Sequence, residues 1–158
     1  MFSNEKVKSI KHKRIGRQMI ENFNNIYLLL LYIGFLGLIG MYCFRMWFFP
    51  SGVLKEFNIG KEGTYLVRVI GTFVFAFLFM GLYILFRPTG PMGAWIFFNI
   101  LFLTGTAQAL YDTAFYFKIL DKSTGAKNSI VDIIVGAFSV LGSIILILGL
   151  SDKIYAFS

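Results

Sequence analysis

One cysteine and one histidine in 158 residues remove whole branches of chemistry at the outset. Cys43 alone can form no internal disulfide, so it leaves the redox compartment unread and is taken as a packing residue. His12 lies outside every apolar run. That leaves no haem held by two histidines, no clustered zinc site and no Ser-His-Asp arrangement within a bilayer. Catalysis by this chain is not expected, and no cofactor or metal ligand set is implied. Charge is scarce too: charged residues make up 15% of the chain against 57% hydrophobic and 18% aromatic, with a mean hydropathy of +0.72. That is too little charge to cover a soluble domain of this size. Also missing are the segments of about 10 residues with alternating polarity that a transmembrane β-barrel requires.

What is present is four apolar runs, about Ile26 to Phe49, Tyr65 to Phe86, Gly93 to Phe117 and Ile130 to Leu150. Each is near the roughly 20 residues that a spanning helix needs. The expected fold is therefore an all-α integral membrane protein. A four-helix transmembrane bundle occupies residues 26–150, a basic amphipathic segment at residues 1–25 precedes it, and a short tail at 151–158 follows. Pro50-Ser51-Gly52 ends the first run, and the loop from Ser51 to Gly63 is expected on the membrane surface through Val53, Leu54, Phe57 and Ile59. Arg87-Pro88-Thr89-Gly90-Pro91 is a short turn, which predicts that the second and third helices form an antiparallel hairpin and pack as neighbours.

The first segment carries Lys6, Lys8, Lys11, Lys13, Arg14 and Arg17, six basic residues against the two acidic residues Glu5 and Glu21. Basic residues flanking a span stay on the cytoplasmic side, which places the N-terminus inside and, after four crossings, the C-terminus with it. Ile15, Met19, Phe23 and Ile26 recur at helical spacing, as in an amphipathic helix lying at the lipid surface. Its cations then meet anionic lipid head groups, a reading favoured over nucleic-acid binding by the juxtamembrane position. The first apolar run ends in Arg45-Met46-Trp47 rather than a small-residue cleavage site, so this span is expected to stay attached.

Four crossings with short loops bring Arg45, Arg68, Asp112 and Asp132 to the same side of the membrane, whichever way the chain is inserted. Arg68 and Asp112 fall roughly 5 to 8 Å inside their span ends at 1.5 Å per residue. Each charge continues a small or polar stripe on its own helix, such as Thr104, Gln108 and Asp112 at steps of four. A charge facing lipid at depth costs about 2.5 to 3.5 kcal/mol on insertion scales. These considerations predict an Arg68 to Asp112 ion pair within the hairpin, with Arg45, Asp132, Thr104 and Gln108 completing an intramembrane polar cluster. The glycine row Gly34, Gly37, Gly40 and the similar Gly136, Ser139, Gly142 are expected to admit close helix packing.

Leu66-Val67-Arg68-Val69-Ile70-Gly71 and Ala107-Gln108-Ala109-Leu110-Tyr111-Asp112 resemble the small four-helix bacterial membrane families around the BphX-like and DoxX-like proteins, over about residues 54–150. The resemblance implies a fold and carries no functional residue across. The sequence thus reads as a non-catalytic structural or accessory subunit of a larger membrane complex, partnered by lipids and by other membrane subunits or further copies of itself, in a bacterial cytoplasmic membrane. The alternative is a small oligomeric ion or solute permease that uses the Arg68, Gln108 and Asp112 seam.

Overall fold

In the computed structural model the described residues are 16–121, 123, 125 and 129–156, and every regular element among them is helical. Helical residues 16–22 (α1) lead through a turn into α2 (Ile26–Phe48), followed by α3 (Pro50–Glu56), a 3-10 turn (Lys61–Gly63), α4 (Thr64–Phe86), α5 (Trp95–Tyr116), α6 (Ile130–Gly149) and α7 (Ser151–Ile154). The element ends follow local chemistry. Asn25 caps α2 by accepting from the Leu28 N–H at 2.9 Å, and Ser129 caps α6 by accepting from the Val131 N–H at 3.1 Å. Pro50 occupies the first position of α3, where its missing N–H costs nothing. Gly90, at φ +56°, takes the left-handed step of the α4–α5 turn, and a β-carbon there would also meet the Asn22 side chain.

Three of the long helices are long and apolar enough to cross a membrane: Ile26–Phe48, Lys61–Phe86 (the 3-10 turn running into α4) and Ile130–Gly149. This is consistent with an integral membrane protein. Helix α5 is nearly as long at 22 residues but falls outside that set; Asn99, Thr104, Thr106, Gln108, Asp112 and Thr113 make it more polar.

The helices pair differently from the expected hairpin. α4 packs along α2, α5 packs along α6, and the two pairs join through α2 against α6. α4 and α5 meet near their connecting turn, where Phe77 stacks on Phe97 at 4.7 Å, but neither is the other's main neighbour. The short turn brings their ends together without deciding which faces match. Small residues decide that. A β-carbon on Gly136 would lie 2.9 Å from the Ala109 Cα, and one on Gly105 would lie 3.1 Å from the Ser139 Cβ, so α5 and α6 approach as closely as their backbones allow. Gly105 faces Ser139 and Ala109 faces Gly136, so numbering rises along α5 as it falls along α6, as antiparallel helices require.

On α2 the outcome is different. Gly34 and Gly37 face open space, and only Gly40 has a neighbour, Leu78, at 3.8 Å. The α2 glycine row is therefore not an intrachain contact, whereas its look-alike on α6 is. Gly142 receives the Phe35 ring of α2, while Gly136 and Ser139 receive α5.

The core sits toward the end of the bundle where residues 16–25 meet residues 149–156, here the terminal end. Tyr32, Phe23, Phe98, Leu146, Leu150 and Ile154 are all fully buried there. Phe23 packs on Tyr32 at 4.9 Å, and Met19 and Ile20 lean on the same cluster. The apolar side of residues 16–23 thus faces protein rather than lying along lipid as expected; Ile26 is exposed, and Ile15 lies outside the described residues. Polar contacts close this end. The Asn24 amide donates to the Gly149 carbonyl at 2.9 Å and to Asp152 Oδ1 at 2.8 Å, Lys153 Nζ donates to the Glu21 carbonyl, and Asn22 Nδ2 donates to the Pro88 carbonyl at 3.0 Å. At the opposite, distal end the core is thin: Val53 and Leu54 of α3 pack on Val67 and Met46. Phe57 and Ile59, expected with them on the membrane surface, remain exposed.

Candidate functional site

The distal end carries the charges that the sequence singles out, and the structure sorts them into three groups. Arg45, in the last turn of α2, forms an ion pair with Glu56 of α3, both side chains partly exposed. Proline at the start of α3 turns the chain back at Phe49, which brings residue 56 beside residue 45. This pairing was missed because the 51–63 segment reads as a surface loop. Pro50 followed by Lys55-Glu56 at helical spacing was the available signal.

The second group lies across the α5–α6 contact. Gln108 Nε2 donates to Asp112 Oδ1 at 2.8 Å along one face of α5. Asp132 lies in the first turn of α6, where the helix dipole favours a carboxylate. One turn beyond the Gly136 to Ala109 contact, the antiparallel register of α5 and α6 sets Asp132 level with Asp112 and Thr113. Nearby, the Tyr111 hydroxyl donates to Asp121 Oδ2 at 2.9 Å and ties the end of α5 to the following loop.

Arg68 stands apart. It is exposed on α4 and makes no ion pair or hydrogen bond among the described residues, so the expected Arg68 to Asp112 pair is not formed within the chain. The reason is the helix pairing: α4 lies on α2 and α5 lies on α6, so the faces bearing Arg68 and Asp112 do not meet. Thr104 is likewise exposed and unbonded, although Thr106 and Thr113 on the same helix bond back to the carbonyls of Phe102 and Ala109 at 2.8 and 2.7 Å. Of the six residues expected in one cluster, the structure bonds Gln108 to Asp112, sets Asp132 level with Asp112 across the α5–α6 contact, pairs Arg45 with Glu56 instead, and leaves Arg68 and Thr104 facing outward.

Of the six cations expected at lipid head groups, Arg17 is exposed and 3.5 Å from Glu21 in an i,i+4 pair. Lys6, Lys8, Lys11, Lys13 and Arg14 lie outside the described residues.

Fold and site together describe an all-helical arrangement among the described residues, with three helices long and apolar enough to cross a membrane, a stitched, well-packed terminal end and a polar, loosely packed distal end. No family model matches the chain, and neither does any curated protein or solved structure.

Proposed function

We propose that this chain is a four-pass protein of a bacterial cytoplasmic membrane, with both termini inside, acting as a non-catalytic structural or accessory subunit of a larger membrane assembly. Support for the fourth crossing comes from two relations. α5 lies antiparallel along α6, so it reaches as deep as α6 does. The chain ends are tied together through Asn24, Gly149 and Asp152, which calls for an even number of passes. The hydroxyls of Thr106 and Thr113 turned onto their own backbone make α5 tolerable in lipid. The basic first segment then faces the cytoplasm and anionic head groups.

The observation that carries the assembly reading is the outward placement of hydrogen-bonding groups on apolar helices. Arg68 and Thr104 are exposed with no partner among the described residues, on helices that also present Phe73, Phe75 and Phe79, whereas Thr72 bonds back to the Val69 carbonyl at 2.6 Å and Gln108 donates to Asp112. Hydrocarbon offers such polar groups no partner, and a neighbouring polypeptide does. The permease alternative rests on the same seam. Against it stands the terminal half, where Phe23, Tyr32, Phe98 and Leu146 fill the space between helices with buried apolar surface.

The test is mild extraction into lipid nanodiscs from the native membrane, followed by mass measurement of the particles. Particles heavier than one chain are the expected result. A particle containing one chain alone, from membranes at native abundance, removes the assembly reading.

A further inference from the structure

We infer that a second copy of this chain supplies the partner for the exposed polar stripe of α5, with Arg68 and Thr72 of one copy meeting Asp112 and Gln108 of the other. The inference deepens the assembly reading by naming the partner, and it rests on the four-pass arrangement proposed above.

The argument is one of register. α4 begins at the distal end with Thr64, and its exposed polar residues Arg68 and Thr72 come four and eight residues later. α5 finishes at the distal end with Tyr116, and Asp112 and Gln108 lie four and eight residues before it. At 1.5 Å per residue both helices therefore carry a charged group about 6 Å and a neutral hydrogen-bonding group about 12 Å inside the distal boundary. The charges are opposite in sign; the Thr72 hydroxyl donates to the Val69 carbonyl at 2.6 Å and keeps lone pairs with which to accept, and the Gln108 amide gives one N–H to Asp112 and keeps the other. α4 runs away from the distal end and α5 runs toward it, so two copies inserted the same way present these stripes antiparallel and in step.

Within one chain the match goes unused, because α4 is committed to α2 and α5 to α6. Nor does another described cation serve the carboxylates of Asp112 and Asp132, since Arg45 is held by Glu56. A guanidinium at matching depth is what this pair of carboxylates lacks, and Arg68 of a neighbour has the fork of donors that a carboxylate takes. Lipid phosphate is the competing partner for Arg68, but as an acceptor it cannot serve the Asp112 carboxylate.

The experiment uses the full chain co-expressed as two differently tagged copies, one carrying Arg68→Cys and the other Asp112→Cys, treated in native membranes with a short bifunctional maleimide. Cys43 is buried and stays as an internal control. A cross-linked product bearing both tags is expected, with loss of that product when Leu148→Cys, exposed near the terminal end, replaces Asp112→Cys. A second measurement exchanges the charges. Arg68→Asp or Asp112→Arg alone should weaken self-association roughly tenfold, and the doubly exchanged chain should recover it. Absence of the two-tag product, or no recovery in the double exchange, overturns the inference. If the particles then still contain other polypeptides, the assembly reading survives without self-association. If Arg68 contacts lipid phosphate instead, Asp112→Arg leaves self-association unchanged.

Discussion

The side-chain amide of Asn24 donates to Asp152 Oδ1 at 2.8 Å, a contact between the two ends of the chain across 128 residues of sequence. Asn24 is held at φ +62°, a left-handed turn that asparagine tolerates better than most residues, and this aims its amide at the end of α6. In the proposed four-pass arrangement the contact sets the segments before α2 and after α6 on one side of the membrane. Single cysteines at Gln18 and Tyr155 should therefore react with an impermeant maleimide from the same side, and cysteines at Lys55 and Lys118 from the other. Gln18 and Tyr155 labelling from opposite sides would mean an odd number of passes.

Tyr32 is the pivot of the terminal end. Its ring touches Phe23, Phe97 and Phe98, and its hydroxyl donates to the Gly81 carbonyl at 2.9 Å, linking α2 to α4. Interhelical hydrogen bonds in membrane proteins average about 0.6 kcal/mol and reach about 1.7, so Tyr32→Phe should destabilise by about that amount. Tyr32→Ala also removes the ring and leaves a cavity, for which about 3 to 5 kcal/mol is expected. Unfolding in mixed micelles with increasing denaturing detergent would measure both. Equal losses for the two variants would show that the hydroxyl, and not the ring, carries the contact.

Much of the helical framework was legible in the sequence, and the reasons are local. Apolar runs of spanning length give the long helices, Pro50 and the Pro88-Thr89-Gly90-Pro91 turn give two of their ends, and Gly136 and Ser139 mark a close helix contact. Choice of neighbour was not legible. A short turn between α4 and α5 fixes which ends meet but leaves each helix free to rotate toward another partner, and α4 turns Gly71 and Gly81 toward α2, against Trp47 and Leu36. The two glycine rows have the same spacing and opposite fates, because spacing records which residues share a face and not what that face meets. The four-charge cluster failed for a related reason. Depth along the membrane follows from counting residues, but azimuth around the bundle depends on tertiary packing, and a nearer carboxylate, Glu56, was already within reach of Arg45.

The contrast between the glycine rows is itself testable. Gly136→Val puts two methyl groups where the Ala109 backbone already lies and should destabilise by about 1 to 3 kcal/mol through overpacking. Gly34→Ala adds a methyl group in open space on a helix and should stabilise the single chain by about 0.5 to 1 kcal/mol through helix propensity. The same unfolding assay reads both. Marked destabilisation by Gly34→Ala, in a preparation confirmed to hold single chains, would mean that α2 packs differently from the arrangement described.

Arg45 and Arg68 are both guanidinium groups near the distal end of an apolar helix, yet they should answer differently to removal. Arg45 is partly exposed and paired with Glu56, so a double-mutant cycle over Arg45→Ala and Glu56→Ala should give a coupling of about 0.2 to 1 kcal/mol, as surface-level ion pairs do. Arg68 has no partner among the described residues, so Arg68→Ala should change the unfolding free energy of the isolated chain by no more than about 0.5 kcal/mol, the range of an exposed substitution. The two predictions separate fold from association. If Arg68→Ala unfolds the isolated chain as readily as Tyr32→Ala does, Arg68 has a partner inside its own bundle and α4 must turn toward α5. If the isolated chain is indifferent and only particle size responds, the guanidinium acts between chains, because a charge at that depth must draw its compensation from somewhere and the fold offers it none.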